Sequence, residues 1–261
     1  MKIKIFFHIL ILLLISLYIP RVMLFYFICG AIDFYRSQVF ELENIKRYFL
    51  GNGMLTWVLS PFNLLIDLLS YKNKYIYTFN ELPQECQDEL YSIFEIAKDN
   101  PKFIEEMNVR MNNKNRGMMF FKWYGKNINN SFHIPEYHKE YKWVNTIGVS
   151  VFNRNQRTSI HYGPLRVTLR VLYNLVQIQN DNIYIQVGNF KHRWHDNPIF
   201  IFDDTLVHQS VNDSDNLRYV LFIDILRPTS NIKILKYILN VLQFFLISIN
   251  KVFYKNWDII K

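Results

Sequence analysis

The sequence predicts a mainly β domain of the sandwich or jelly-roll class, with flanking helices and an apolar N-terminal segment that anchors it to a membrane. Three observations carry that prediction. From Val144 to Leu226 the chain runs in short β-branched and aromatic stretches separated by turn residues. Residues 81–115 and the C-terminal tail have helical patterning instead. Residues 5–19 and 22–32 are almost wholly apolar.

The chain has 261 residues, enough for one sizeable domain with additions. Half of them are hydrophobic, 17% are aromatic, and the net charge is +8. The basic residues accompany apolar segments, so an anionic lipid surface is the partner expected. No nucleic-acid motif and no glycine-rich phosphate loop occurs, and no nucleic-acid partner is expected. Cys29 and Cys86 make no disulfide framework, consistent with a reducing compartment.

Residues 1–33 form the expected anchor. Residues 5–19 alone are short of the roughly 20 that a helix needs to span a bilayer. Joined to Val22–Ile32, with Pro20 as a kink, they reach it. Arg21 is costly at mid-bilayer, so its depth matters. A cleaved signal peptide is the rival, but no small-x-small cleavage site follows. Arg21, Arg36, Lys46 and Arg47 follow the segment and Lys2 and Lys4 precede it. That balance favours a cytoplasmic main domain on a single-pass or monotopic protein.

Residues 34–80 read as a juxtamembrane segment. Within it Met54–Ser70 is apolar and broken at Pro61, which fits an interfacial stretch, a hydrophobic lid or plain core. Residues 81–229 form the main domain. It opens with helices that Asn80 can cap and that Asp99-Asn100-Pro101 divides. Strands are predicted at Val144–Phe152, Leu165–Ile178, Asn182–Val187, Pro198–Phe202 and Leu217–Leu226. Alternation puts Leu165, Val167, Leu169 and Val171 on one face. Arg166, Thr168, Arg170 and Asn174 share the other, polar enough to line a pocket. Residues 230–261 form a basic amphipathic helix, for the interface or for packing on the domain.

The chemistry centres on His161 and His208, both in strand-like sequence. Imidazoles on neighbouring strands can bind one iron ion, although structural histidines are the plainer alternative. The usual facial triad places a carboxylate two residues after the first histidine, and here that residue is Gly163. Arg218 sits in an apolar strand, where a lone charge is costly unless paired. Its planar fork suits a carboxylate ligand, and Asp224 on the same face is the alternative partner. Arg170 either joins the pocket or lies on a solvated face.

These pieces resemble the aspartyl/asparaginyl β-hydroxylase family of iron- and 2-oxoglutarate-dependent oxygenases. The matching residues run from Ser150 to Pro228. They are His161-x-Gly163-Pro164, Leu169-Arg170, Trp194, Phe202-Asp203-Asp204-x-x-x-His208, and Arg218-x-x-Leu221-Phe222-x-Asp224-x-x-x-Pro228. The resemblance implies a double-stranded β-helix (jelly roll), with Fe(II) on His161 and His208 and glycine tolerated in place of the carboxylate. It implies that Arg218, helped by Ser150, holds the distal carboxylate of 2-oxoglutarate, that Arg170 contacts this co-substrate, and that O2 is consumed. Leu172 departs from the pattern, since the family often carries histidine there, and Asn197 replaces a turn glycine. Phe120-Phe121-Lys122-Trp123-Tyr124-Gly125 and the general layout are similar to the bacterial lipid A acyl-chain hydroxylases. The expected activity is hydroxylation of a C–H bond in a lipid acyl chain or a peptidyl Asp/Asn side chain. The alternative is a non-catalytic membrane protein that keeps the fold.

Overall fold

The computed structural model of the chain describes residues 17–100, 102–111, 114–253 and 257–260. The described helices ahead of the strands are α1 (Pro20–Tyr35), α2 (Leu42–Leu50), α3 (Met54–Val58) and α4 (Ser60–Leu69). Strand β1 (Ile76–Tyr77) leads to α5 (Gln84–Lys98) and α6 (Lys102–Met111). Strands β2 (Arg116–Trp123), β3 (Lys126–Asn127), β4 (Val144–Phe152), β5 (Gln156–Arg157) and β6 (Thr168–Asn174) follow. Then come β7 (Ile183–Val187), β8 (Phe190–Arg193), β9 (Ile199–Phe202), β10 (His208–Asn212) and β11 (Arg218–Leu226). The chain closes with α7 (Ile232–Phe253) and β12 (Asp258–Ile259).

The strands make two sheets, as the jelly-roll prediction requires. The larger has the order β1-β9-β6-β11-β4-β2-β12, with β3 paired to β2. The smaller has the order β5-β10-β7-β8. All pairings are antiparallel except β12 with β2.

Register sorts the larger sheet into two faces. Met118 pairs with Ser150 and Ser150 with Val220. Phe222 pairs with Leu172 and Leu172 with Phe200. Side chains alternate along each strand, so these positions all face the smaller sheet. There they join Ile183, Ile185 and Val187 in one core cluster. The other face carries Val149, Val151, Leu169, Val171, Leu221 and Ile223 against α5, α6 and the first half of α7. Phe94 of α5 stacks on Tyr173 at 4.3 Å, and Leu235 and Leu239 of α7 are fully buried. The sheet thus seals its outer face with helices and keeps its inner face for a pocket.

The N-terminal segment departs from the prediction. Among the described residues no helix is long and apolar enough to cross a membrane. Pro20 does not kink a longer helix; it occupies the first turn of α1, where its missing N–H costs nothing. The other end of α1 is fixed to the domain by Asp33 and Arg36. The part of the expected anchor at residues 1–16 lies outside the described residues. The C-terminal tail also differs, because beyond α7 it returns as β12 to extend the larger sheet. Asn80 caps no α-helix; it lies in a one-turn 3-10 helix that Thr78 and Glu81 cap, and α5 starts after Pro83. The glycosylation-type triplet Asn212-Asp213-Ser214 is closed to modification. Asn212 is fully buried and its amide donates to the carbonyls of Asn153 and Asn216.

A buried cluster of three arginines and three aspartates fastens α1 and α4 to the barrel. Arg166 bonds Asp33 of α1, Asp67 of α4 (2.7 Å) and Asp203 (3.3 Å). Arg36, the C-cap of α1, and Arg227 reach the same Asp203 carboxylate at 3.1 and 2.7 Å. Such charges stay buried only because each is paired. Removing one partner strands the others in a dry interior. Arg166→Met is expected to cost about 3–5 kcal/mol of stability by denaturant titration. A loss below about 1 kcal/mol would mean the cluster does not hold the helices.

Candidate active site

His161 and His208 face each other across an isolated antiparallel bridge that joins the loop after β5 to β10. Their backbones exchange N–H···O bonds of 3.0 and 2.9 Å, and their ring centroids stand 4.1 Å apart. The His161 Nδ1 lies 2.7 Å from the Ser159 carbonyl, and the His208 Nδ1 lies 2.8 Å from that of Leu206. A carbonyl oxygen only accepts, so each Nδ1 carries the proton and each Nε2 keeps its lone pair. Burial lowers the pKa of both rings, and His161 lowers that of His208 further. Both are therefore neutral at neutral pH, the form that ligates a metal. Among the described residues no cluster of three or more His, Cys, Asp or Glu side chains stands where it could hold an ion. The donor set on offer is this pair.

The helical layer locks the first histidine segment from outside. Asn52 donates to the Ile160 carbonyl at 2.8 Å, Thr56 to that of Gly163 at 3.0 Å, and Asn63 to that of Pro164 at 3.1 Å. Tyr48 packs edge-on against Tyr162 at 5.3 Å. The Met54–Ser70 stretch is thus part of the site's frame, and Leu55 from it lines the cavity.

Arg218 is fully buried on the inner face. Its Nη2 donates to Ser210 Oγ at 2.8 Å and its Nη1 to the Val211 carbonyl at 3.4 Å. Its Nε finds no partner. Phe152 and Trp194 lie against the guanidinium at 4.2 and 5.5 Å. Burial pulls its pKa down to about 9. Ser150 shares this inner face, two positions along β4 from the residue opposite Arg218, and also lines the cavity. The sequence offered Asp224 as a partner for Arg218, but the register assigns Asp224 elsewhere. Asp224 lies directly opposite Arg170 and accepts from its Nε at 2.6 Å.

Arg170 is therefore not on a solvated face. It spans Asp224 and Asp204 (3.0 Å) and lies over the Phe222 ring at 3.7 Å. Leu172 is in the cavity wall, as its register partner Phe222 is. The cavity encloses about 430 Å³. It brings His161, His208, Arg218, Ser150 and Arg170 together, with an apolar wall that includes Leu55, Trp123, Leu172, Phe222 and Trp257.

One carboxylate of the cavity was not singled out from sequence. The half-buried Asp204 fills the space beside Gly163. A Cβ on Gly163 would lie 2.6 Å from the Asp204 Cγ. Glycine at 163 and the Asp204 carboxylate are thus a matched pair. Burial, opposed by Arg170, raises the Asp204 pKa to about 7, and its Oδ1 has no partner. The available signal was an acid in the turn four residues before His208. Trp257 gave no signal, because only the return of β12 brings it to the cavity.

The family model for aspartyl/asparaginyl β-hydroxylase matches residues 83–228, more than half the chain. The chain belongs to this family. The ornithine lipid ester-linked acyl 2-hydroxylase of Rhizobium tropici is 33% identical over 86 residues, which is 33% of this chain and 31% of that protein. The chain thus spans about a third of that relative's length. Among solved structures, an oxidoreductase of the 2OG-Fe(II) oxygenase family from Burkholderia pseudomallei covers 33% of this chain and 44% of its own, at 9% identity and TM-score 0.27. The Schizosaccharomyces pombe Cnp3 cupin domain covers 34% and 59%, at 14% identity and TM-score 0.27. Family membership and the mainly β two-sheet architecture agree with the hydroxylase expected from the sequence.

Proposed function

We propose that the protein is a membrane-seated hydroxylase that uses Fe(II), 2-oxoglutarate and O2 to oxidise a lipid acyl chain. The observation that carries this reading is the buried, uncompensated Arg218 beside two imidazoles with free Nε2 atoms. A guanidinium stripped of water without a carboxylate partner favours binding an anion. A dicarboxylate co-substrate provides one.

Iron, when bound with 2-oxoglutarate and O2, supplies the oxidant for an unactivated C–H bond. His161 and His208 would hold the metal, each oriented by the carbonyl on its Nδ1. Arg218 and Ser150 would hold the distal carboxylate. Asp204 and Arg170 line the same cavity as the two histidines, where they can orient water or co-substrate. The apolar wall excludes water and accepts a methylene chain.

The name of the Rhizobium tropici relative supports an acyl substrate. So does the outer surface of the helical layer. From Val22 to Ile32 the exposed side chains of α1 are all apolar, while Met23, Cys29 and Gly30 face inward. A helix apolar on both faces has a nonaqueous environment outside. On α3 and α4, Leu55, Val58, Leu65 and Leu68 are also exposed, and Leu55 reaches the cavity. The exposed basic residues Arg21, Lys46, Lys72 and Lys74 suit anionic headgroups. A polarity-sensitive dye at Leu68→Cys is expected to blue-shift on anionic phosphatidylglycerol vesicles, while the same dye at Lys126→Cys does not. Equal responses would contradict membrane seating through this layer.

The substrate class is tested by turnover with a total lipid extract beside Asp- and Asn-containing peptides. Gain of one oxygen atom on an acyl chain is expected by mass spectrometry. Oxygen gain on the peptides alone would overturn the lipid reading.

A further inference from the structure

Besides Arg218 and Arg170, the cavity is lined by a third guanidinium, Arg116, that the chemistry above does not use. Arg116 opens β2 and pairs with Phe152, and Phe152 pairs on its other side with Arg218. The three side chains form a row across adjacent strands on the inner face. Arg218 is fully buried, whereas Arg116 is half-buried at the rim of the same cavity.

The surroundings of Arg116 are aromatic. Its guanidinium lies 5.4 Å from the centre of the Trp257 ring, and Trp257 meets Phe152 edge-on at 5.1 Å. The C-terminal strand delivers Trp257 there. Asp258 pairs with Gly117, and the Ile260 N–H donates to the Met118 carbonyl at 2.8 Å. The fit depends on Gly117, where a Cβ would lie 2.4 Å from both Ile260 Cδ1 and Met111 Sδ.

Arg116 has a cation's need for a counter-ion, and among the described residues the acid that acts on it is Asp258 of β12, outside the cavity lining. The only acid lining the cavity among the described residues is Asp204, which Arg170 holds. Residues 1–16, 101, 112–113, 244–256 and 261 contain no Asp or Glu. Burial lowers the Arg116 pKa, and the Asp258 charge opposes that shift. A partly desolvated guanidinium stacked on an indole, at the mouth of an apolar cavity, is suited to an oxyanion on an amphiphile.

We propose that Arg116, stacked on Trp257, is the specificity-determining residue that binds an anionic group, phosphate or carboxylate, carried by the substrate beside its acyl chain. This rests on the lipid reading above and narrows it to anionic amphiphiles. The test is binding of dodecyl phosphate, dodecanoate and dodecyl maltoside, each below its micelle concentration, to full-length protein without iron or 2-oxoglutarate. The wild type is expected to prefer one or both anionic probes over maltoside. Arg116→Met should weaken that binding by about tenfold or more and leave maltoside unchanged. Arg116→Lys should retain more of the affinity than Arg116→Met. Whether phosphate or dodecanoate shows the loss identifies the anion.

Equal affinity of the wild type for anionic and neutral probes would overturn the proposal. So would an equal loss for all three probes in Arg116→Met, which marks a structural role. In a separate titration of Arg116→Met with 2-oxoglutarate, loss of that binding alongside intact probe binding would assign Arg116 to the co-substrate instead. Because iron and 2-oxoglutarate are absent from the probe titrations, failure there is separable from failure of the hydroxylase reading, which succinate formation tests.

Discussion

Arg218→Met is expected to remove measurable 2-oxoglutarate binding while leaving the apo protein as stable as the wild type, or more so. The first effect follows from losing the anion's partner. Truncating one side of a buried charge pair costs about 2–5 kcal/mol, or roughly thirty-fold to several-thousand-fold in Kd. The second follows from the present cost of Arg218. Its guanidinium is buried with an unpartnered Nε and, among the described residues, no carboxylate pair, so neutral partners offset its desolvation only in part until an anion arrives. Methionine fills similar volume among Phe152 and Trp194 without that penalty. Calorimetric titration with 2-oxoglutarate and a thermal melt without ligand read the two effects. A large fall in apo stability with unchanged binding would assign Arg218 a structural role.

The second large effect is on the metal. His161→Ala and His208→Ala are each expected to abolish stoichiometric Fe(II) binding and to reduce turnover to background. The described residues offer two protein ligands and no third, so one substitution halves the donor set. The loss should exceed the roughly 10–100-fold typical of removing an outer-shell partner. Anaerobic titration with Fe(II), or with Co(II) as a spectroscopic substitute, reads it directly. Retention of tight binding by either variant would mean that the pair is not the metal site. Circular dichroism checks that the variants fold.

Much of this site was legible because sequence spacing and strand alternation share one geometry. The predicted Val144–Phe152 strand is β4, and Leu217–Leu226 falls on β11 within one residue. Ser150 and Arg218 reach the same inner face because β4 and β11 are register partners. The misassigned Asp224 shows where alternation stops. It puts Arg218 and Asp224 on one face but says nothing of distance along the strand. Six residues separate them, about 20 Å at strand rise, while Arg170 on the neighbouring strand stands directly opposite Asp224.

Other features depended on tertiary context. Strand β2 is buried along nearly its whole length and has a register shift between Phe120 and Lys122, so it shows little alternation. The apolar residues of α1 match those of a membrane span. What distinguishes it is the burial of Asp33 and Arg36 in a charge cluster whose other members lie far along the chain. Asp204 was visible as part of a motif, but its place beside Gly163 follows from how two loops close on each other. Strand β12 is two residues long, too short for any period to register.

The central claim is that His161, His208 and Arg218 form one oxygenase site. The most direct test is succinate formation from 2-oxoglutarate by the full-length protein with Fe(II), ascorbate and O2, beside the His161→Ala/His208→Ala double variant. Iron-dependent succinate from the wild type and none from the double variant is the predicted result. Equal succinate from both, or a wild type that binds neither Fe(II) nor 2-oxoglutarate, would contradict it and leave a jelly-roll scaffold without this chemistry.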